Sequence, residues 1–551
     1  MRQAIRRLRS LVGPQSWARY QRTYVLAALA ALVETASIAA VFPIVAGIAA
    51  GQGGADAPWF TLQGALLVMA GLYVGGLCLR ALALHQSART NMTEGYGFAA
   101  GLFARSLEQP FVWNLAHHSA DLRAMILSDA QDLITSLFAP LGRLIAQVTL
   151  VVAVACVLLV LQPLATVVFA TAIIGIYVLT FALLRRPLQR DGEAQMAAHA
   201  QRHRLSAEAF QAGREVQLSP HLQVRFAADF AVASGDLAQA ATNRSIYTEL
   251  PKLLLEAMIF GVLAWVALQT AAQPGVVVAG TLPTMVLFAA AGLKLFPMGH
   301  LVFTNLALMR AGWPIVTRFE GLLAGLQAAK GTERCAAIRS DVVLEKVGFH
   351  YPGASQPALR DVSLTARRGE KVAIIGPSGV GKSTLIDVIA GLLVPNEGRV
   401  LVDGAALSPS QIRDWQSQLR YCPQVPALFD QSILDNITLG VDYPAEQVAA
   451  AVHLACLDTT VAGKADALQT RVGEQGRHLS GGQIKRISIA RALLDDVAVY
   501  LMDEPTSNLD ANTAQMVMTR VFAARPDAIF FIVTHDLALA KTCDTIVDLG
   551  R

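Results

Sequence analysis

The chain has 551 residues, of which 54% are hydrophobic and 16% are charged, and its formal net charge is +4. This length exceeds what one hydrophobic core supports, so two or more domains are expected. The apolar excess excludes a chain that is soluble throughout, and the small net charge gives no basis for a nucleic-acid partner. The six cysteines are scattered singly with no C-x-x-C, so neither a disulfide framework nor a zinc site is expected.

Six long apolar windows occupy the first half of the chain. Each is long enough to cross a hydrocarbon core about 30 Å thick, which takes about 20 helical residues. In lipid a helix satisfies its own backbone groups, so the pattern predicts six transmembrane helices. The approximate windows are 24–50, 61–84, 132–160, 164–184, 250–272 and 276–305.

The connections between the windows alternate in length and charge. Three are short and lack Lys and Arg, whereas 85–131 and 185–249 are long and contain many Arg. By the positive-inside bias, both termini and both long connections are expected in the cytoplasm. The helical periodicity of the long connections predicts helices that continue beyond the membrane.

Ionisable side chains inside membrane windows are costly, so they are candidates for function. Glu34 lies in the first window and Lys294 in the sixth. Both are predicted to line a cavity for a transported substrate. The structural alternative for such groups is an ion pair or a hydrated position at a helix end.

The sequence GPSGVGKST at 376–384 predicts a phosphate-binding loop. A short apolar strand precedes it and a helix follows it, which is the context that the spacing G-x-x-x-x-G-K-S requires. Glycines let backbone N–H groups approach an anion closely, and the helix N-terminus adds positive field. Lys382 is predicted to reach the outer phosphates and Ser383 to bind Mg²⁺. The predicted ATP-binding residues of the loop are Gly376, Pro377, Ser378, Gly379, Gly381, Lys382, Ser383 and Thr384.

Short apolar strands alternate with helices after Asp341, which predicts an α/β domain with a largely parallel sheet. The sequence VYLMDE is an apolar strand that ends in two acids, Asp503 and Glu504. We expect Asp503 to support Mg²⁺. Glu504 is placed to orient or activate an attacking water molecule.

Three further side chains complete the candidate site. His535 follows an apolar strand and is placed to donate a hydrogen bond to a γ-phosphate. Gln424 is a candidate sensor at the metal, and Tyr351 is a candidate for stacking on adenine. Each of these residue types taken alone is more often structural.

The sequence LSGGQ precedes a helix and predicts a second anion site, formed by Ser480, Gly481, Gly482 and Gln483. One domain has no evident need for two phosphate sites. Two chains that face each other head to tail would each contribute the second site to the other chain's ATP. The pattern therefore favours a dimer. Because every predicted catalytic position is intact, a homodimer is expected, and a heterodimer with a second chain is the alternative.

In this order, the motifs resemble the nucleotide-binding domain of ATP-binding cassette (ABC) transporters, and six spans before one such domain resemble an exporter half-transporter. The resemblance includes SNLD at 507–510, and it implies that Asp510 lies at the ATP site. The implied fold class is a multidomain membrane protein, with an all-α six-helix transmembrane domain before an α/β P-loop NTPase domain. The implied domains are a transmembrane domain at 1–312, a linker at 313–340 and a nucleotide-binding domain at 341–551. In the implied homodimer, both domains form contacts, and the tips of the long connections, near 112–122 and 208–220, press on the nucleotide-binding domains.

The implied activity is ATP hydrolysis with Mg²⁺, coupled by alternating access to movement of an amphipathic substrate. Parts of the first and fifth windows resemble flippases of lipid-linked oligosaccharides, so lipid-linked glycan, lipid and small modified peptide all stay open as substrates. The alternatives are an importer on the exporter fold, for example for a metal chelate, and an ATP-gated channel or regulator. The implied location is a bacterial-type inner (plasma) membrane, with lipid around the spans and the nucleotide-binding domain in the cytoplasm.

Overall fold

The structure is a computed structural model that describes residues 2–39, 62–117, 119–161, 163–272, 278–326, 333–335, 337–458 and 467–550. The chain divides into two compact units. The first unit comprises Met1–Leu107 and Ala116–Gln327, and the second comprises Glu108–Leu115 and Ala328–Arg551. A short segment from the first half of the chain therefore belongs to the second unit.

Long helices make up the first half of the chain. In chain order, the described helices are α1 (Arg2–Ala39), α2 (Leu62–Leu107), α3 (Phe111–Ala116), α4 (Ser119–Ala124), α5 (Ala130–Leu133), α6 (Ala139–Leu161), α7 (Pro163–Gln211), α8 (Gly213–Leu218), α9 (Pro220–Ala272) and α10 (Val278–Gly325). Two wider π-helical turns, Met125–Asp129 and Ile134–Phe138, join α4, α5 and α6 into one continuous helix.

Each predicted membrane window has its described part on one of these long helices. Among the described residues, three helical stretches are long and apolar enough to cross a membrane, namely Leu67–Leu107, Ser119–Val160 and Thr166–Gln211. Residues 40–50 of the first window and 276–277 of the sixth lie outside the described residues.

Helices α7 and α9 contain 49 and 53 residues. At about 1.5 Å per residue, each is more than 70 Å long, about twice the thickness of a hydrocarbon core. The predicted helical extension of the connection at 185–249 is therefore present, interrupted only near α8.

The last long helix, α10, ends at Gly325, so the first part of the predicted linker at 313–340 is helical. Ile315, Phe319 and Leu322 are buried along one face of this part. Their spacing continues the helical periodicity of the sixth window past residue 312. The mixture of apolar and polar residues after 312 predicts a linker, but in the structure it belongs to the amphipathic end of α10.

The second unit contains two β-sheets with helices around them. Its described elements are β1 (Asp341–Phe349), β2 (Leu359–Arg367), β3 (Lys371–Ile375), α11 (Lys382–Ile389), β4 (Glu397–Val402), β5 (Ala405–Ala406), α12 (Ile412–Ser417), β6 (Leu419–Cys422), α13 (Ile433–Thr438), α14 (Ala445–Leu454), α15 (Gly481–Leu493), β7 (Val499–Asp503), α16 (Ala511–Ala524), β8 (Ile529–Val533), α17 (Leu537–Ala540) and β9 (Thr545–Asp548), with 3₁₀ turns at Ala467–Gln469 and Glu474–Gly476.

The larger sheet is parallel, with the strand order β6-β7-β8-β3-β9. Every residue of β7 and β8 is buried, as expected for parallel strands that are covered on both faces. The smaller sheet, β2-β1-β4-β5, is antiparallel and was not predicted. Exposed residues alternate with buried ones in much of β2, so this strand lacks a continuous apolar run.

The register of the parallel sheet aligns the three strand ends that precede the predicted motifs. Val533 of β8 lies opposite both Ile374 of β3 and Asp503 of β7. The loops that follow these strands therefore start side by side at the carboxyl edge of the sheet. This edge is where open α/β sheets bind ligands.

The segment Glu108–Leu115 packs within the second unit. The side chains of Phe111 and Val112 contact the buried apolar core that includes strands β1 to β3. Residues 112–115 of this segment belong to the tip of the first long connection, near 112–122, which the resemblance implies should press on a nucleotide-binding domain.

Candidate nucleotide site

The loop after β3 depends on glycine at three positions. Gly376, Gly379 and Gly381 have φ angles of 145°, 82° and 108°, in the region that side chains with a Cβ rarely adopt. A Cβ added at Gly381 would lie 2.3 Å from the carbonyl oxygen of Ala358. The chain can turn from β3 into α11 here only because Gly381 has no side chain.

Lys382 is the first residue of α11, and its side chain folds back over the loop. Its Nζ donates to the carbonyl oxygens of Gly376 at 2.7 Å and of Pro377 at 3.0 Å. The ammonium group therefore lies against the loop, near the N-terminus of α11. Both the charge and the free helix N–H groups favour an anion at this place.

Two oxygen-bearing side chains meet beside the loop. The hydroxyl of Ser383 donates to Oδ2 of Asp503 at 3.2 Å. Burial raises the pKa of the Asp503 carboxyl, while the hydrogen bond from Ser383 and the positive charge of Lys485 act in the opposite direction. Oxygen ligands of this kind suit Mg²⁺, so the pair fits the predicted metal site.

Glu504 follows Asp503 in a strained conformation. Its φ is 49°, an uncommon value for a residue with a side chain, and its N–H donates to the carbonyl oxygen of Val533 at 2.9 Å. Its Oε1 lies 3.5 Å from Nε2 of His535. Among the described residues, this buried oxygen has no hydrogen-bond partner. A water molecule would satisfy it, because buried polar atoms are rarely left unpaired.

The predicted second anion site begins helix α15. The N–H of Gln483 donates to Oγ of Ser480 at 3.3 Å, and the N–H of Ser480 donates to Oε1 of Gln483 at 2.9 Å. This reciprocal cap fixes the start of the helix. A Cβ at Gly482 would lie 2.7 Å from the carbonyl oxygen of Asn508, so the SNLD segment packs directly on this glycine.

The other predicted residues have these positions. The Tyr351 hydroxyl lies 3.2 Å from Oγ1 of Thr384, which places this tyrosine beside the loop helix. Gln424 has an exposed side chain directly after β6. Asp510 accepts a hydrogen bond from the N–H of Thr513 at 3.0 Å and caps α16. The roles of Tyr351, Gln424 and Asp510 toward ATP stay predictions.

Asp387 lies on α11 and is not among the site residues predicted from the sequence. Burial, together with the nearby charge of Asp503, raises its pKa to about 6. Burial and the charges of Asp503 and Asp387 also raise the pKa of the Tyr421 hydroxyl. The sequence contains no signal for this cluster, because Asp387 is a polar helix residue whose burial appears only in the folded domain.

We expect Asp387→Asn to stabilise the protein near neutral pH. The native carboxyl, with its pKa near 6, holds a proton that the unfolded one loses near pH 4, so the free energy of unfolding falls as pH rises between these values. Above pH 6 the cost of ionised Asp387 reaches at most about 3 kcal/mol. Thermal unfolding should show a higher midpoint for the variant at pH 7.5, and the difference should shrink toward pH 4.

Asp527→Asn, at an exposed aspartate, is the matched control and should leave the midpoint unchanged at both pH values. An Asp387→Asn midpoint at or below that of the wild type at pH 7.5 would contradict the raised pKa.

The two membrane candidates differ in what the structure describes. Glu34 on α1 is only 13% exposed, and its Oε1 lies 3.5 Å from NH1 of Arg80 on α2. Arg80 was missed, although an arginine inside the window 61–84 is itself a signal. Lys294 lies on α10, and its side chain is outside the described residues. Glu34 therefore has the ion-pair partner that the structural alternative predicts, and its contact with a substrate stays a prediction.

Comparison with known proteins agrees with this geometry. Residues 359–507 match the ABC transporter family. A solved structure described as a bacterial Atm1-family ABC exporter with ATP bound aligns with 96% of this chain and 93% of that chain, with a TM-score of 0.82 and 24% identity. The chain has the fold of an ABC exporter half-transporter. The first unit corresponds to the helical region of this fold, and the second unit contains the residues that match the ABC transporter family.

The chain matches similar curated proteins over only part of their length. An ATP-dependent lipid A-core flippase of Cupriavidus pinatubonensis is 31% identical over 265 residues, which are 47% of this chain and 45% of the flippase. The mycobactin import ATP-binding/permease protein IrtB of Mycobacterium bovis is 41% identical over 228 residues, 41% of this chain and 39% of that protein. The chain thus matches less than half the length of these relatives.

Proposed function

We propose that this chain is an ATPase that exports or flips an amphipathic substrate across a membrane by alternating access. One observation carries the proposal: on an ABC exporter fold, the phosphate loop, Asp503, Glu504 and His535 meet at one sheet edge. The intact pair Glu504 and His535 favours hydrolysis over a channel or regulator in which ATP is only a switch.

In the proposed reaction, the loop N–H groups and Lys382 bind the phosphates of ATP. Ser383 and Asp503, with Gln424 as a further candidate, would hold Mg²⁺, which supplies positive charge against the phosphate oxygens when bound. Glu504 Oε1 orients the attacking water and takes up its proton. His535, next to Glu504, donates a hydrogen bond to the γ-phosphate.

The arrangement of the second anion site supports a homodimer. Ser480 is the N-cap of α15, and Gly482 lies in its first turn. The loop after β3 already accounts for the phosphates of one ATP, so one chain alone does not explain a second phosphate site. In the proposed dimer, they face the ATP that is held by Lys382 of the other protomer. Two ATP molecules then close the nucleotide-binding domains, and hydrolysis reopens them.

The names of relatives inform the proposed substrate. One relative is named as a lipid A-core flippase, and another, from Agrobacterium vitis and 33% identical over 224 residues, as a β-(1→2)glucan export protein. These names support lipid and lipid-linked glycan as proposed substrates, and small modified peptide is the third proposed substrate. The proposed location is the inner (plasma) membrane, with the nucleotide-binding domain in the cytoplasm. The name of IrtB, an import protein, makes the direction of transport the property to measure.

Transport into proteoliposomes tests the proposal. The full chain is reconstituted, and external ATP reaches only those molecules whose nucleotide-binding domain faces outward. Export or flipping then moves fluorescent lipid, lipid-linked glycan or peptide from the outer face to the lumen or inner leaflet. We expect ATP-dependent movement of at least one probe class, and none with the Glu504→Gln variant. ATP-dependent release of preloaded probe from the lumen would overturn the direction, and ATP hydrolysis unaffected by every probe would overturn the substrate class.

A further inference from the structure

Lys485 is a buried cation on α15 that none of the predicted motifs explains. Its side chain is 1% exposed. Its Nζ donates to the carbonyl oxygens of Pro423 at 2.9 Å, Gln424 at 3.0 Å and Asp503 at 3.3 Å. An ammonium group has three donors, so all are used. Because a buried cation is costly unless its donors are satisfied, these bonds fix the side chain in one position.

The three carbonyl groups belong to two neighbouring strands of the parallel sheet. Pro423 and Gln424 directly follow β6, and Asp503 ends β7. Cys422 and Met502 are partners in the register of these two strands. Lys485 therefore joins two strand ends to a helix that begins only a few residues earlier in the sequence.

Hydrogen bonds, rather than an ion pair, set the position of Lys485. Within the part of the chain that the structure describes, no carboxylate oxygen lies within 4.0 Å of its Nζ. All three acceptors are main-chain atoms, so the contacts restrain the path of the backbone at Gln424 and at Asp503. Both residues lie in the proposed ATP site, and the N-cap of the same helix is Ser480.

We propose that Lys485 is a positioning residue that holds the backbone of Gln424 and the end of β7 fixed to the start of α15. This inference rests on the ATP hydrolysis proposed above. In the proposed dimer, Gln424 and Asp503 face one ATP, whereas Ser480 faces the other. Lys485 thereby links the two ATP sites through the interior of a single chain.

Lys485→Met tests the inference, because methionine fills similar space without N–H donors. We expect kcat for ATP to fall about tenfold to a hundredfold, since small displacements of site residues have effects of this size, while KM stays within about threefold. Lys485→Gln, which retains two N–H donors, should recover most of the lost turnover. An equal loss in both variants would overturn positioning by hydrogen bonds.

Hydrogen–deuterium exchange of the ATP-free protein gives a readout that does not depend on hydrolysis. In Lys485→Met, exchange should rise in peptides that cover 423–426 and 479–484. An unchanged rate there, or an equal rise over the whole second unit, would overturn the inference.

Arg491 provides the matched control, since it is a second cation on α15 with main-chain acceptors. Its Nε donates to the carbonyl oxygen of Asn436 at 2.8 Å, and its NH2 donates to that of Ala427 at 3.1 Å. Arg491→Met should lower the thermal midpoint but keep kcat within about threefold of the wild type, because it leaves Gln424 and Asp503 held. A loss of turnover equal to that of Lys485→Met would mean that general destabilisation explains both, and would overturn the inference.

Glu504→Gln, measured in parallel, distinguishes a failure of the Lys485 inference from a failure of the proposed function. If Glu504→Gln is inactive and Lys485→Met hydrolyses ATP like the wild type, the inference fails and the proposed function stands. If Glu504→Gln hydrolyses ATP like the wild type, the proposed role of the ATP site fails. The exchange experiment then still decides whether Lys485 holds the backbone at Gln424 and the end of β7 in place.

Discussion

We expect Glu504→Gln to bind ATP as the wild type does but to hydrolyse it at least about a hundredfold more slowly. The buried Oε1 of Glu504 lies 3.5 Å from His535 Nε2 and has no hydrogen-bond partner among the described residues. A glutamine keeps the size of the side chain but cannot accept a proton from water. The proposed phosphate contacts come from Lys382 and the loop after β3, whose hydrogen bonds the substitution leaves in place. The effect should therefore fall on turnover and spare affinity.

Two measurements on the purified full chain separate these effects. Phosphate release gives kcat, and the fluorescence of a labelled ATP analogue gives the dissociation constant, expected within about threefold of the wild type. Glu446→Gln, at an exposed position in the first turn of α14, removes one negative charge elsewhere and should change neither value. Turnover above about a tenth of the wild-type rate would refute the role assigned to Glu504.

The same variant should accumulate as a closed dimer with ATP. If each ATP lies between Lys382 of one protomer and Ser480 of the other, blocked hydrolysis keeps both interfaces occupied. Chemical cross-linking of the second units should then increase with ATP in Glu504→Gln and only transiently in the wild type. Cross-linking that is independent of ATP would contradict the shared site.

The core of the nucleotide-binding domain was accessible from the sequence because its strands are buried on both faces. The apolar run of β7 ends in two acids, and β8 is followed by His535. Each buried strand is therefore recognisable from the polar motif that follows it. The antiparallel sheet was not accessible in this way. Strand β2 is exposed along much of one face, and its sequence resembles a polar connection. The helical continuation of α10 to Gly325 was missed for a related reason: its apolar positions are few, although regularly spaced.

The candidate site divides along the same physical line. Residues that are proposed to bind ATP through loop geometry, such as Gly381 and Lys382, belong to a local pattern that the sequence displays. Residues whose properties depend on burial show no such pattern, because Lys485 and Asp387 appear in the sequence as ordinary polar residues of a helix. The Glu34 contact with Arg80 shows the same limit, since sequence gives two charges but not the distance between their helices.

Gly381→Ala should lower the affinity for ATP about a hundredfold, because the added Cβ clashes with backbone that is itself held by a hydrogen bond. A Cβ at this position would lie 2.3 Å from the carbonyl oxygen of Ala358. Ala358 is held in turn, because its N–H donates to the carbonyl oxygen of Phe349 at 2.8 Å at the end of the β1–β2 pairing. The φ of 108° at Gly381 adds strain of its own. The loop and the start of α11 must therefore shift, at a cost of about 3 kcal/mol or more, or about a hundredfold in affinity.

Gly404→Ala is the matched control, because it places alanine at a positive φ where the added Cβ has no clash. Gly404 has φ 78°, and a Cβ there would have no other heavy atom of the described residues within 4 Å. It follows β4 in a turn, where alanine should cost about 1 kcal/mol of stability and leave ATP affinity unchanged. If both variants bind ATP within about threefold of the wild type, Ala358 is more mobile than its hydrogen bond implies. A loss confined to Gly381→Ala means that the close approach of Ala358, rather than backbone strain, makes glycine necessary in the phosphate loop.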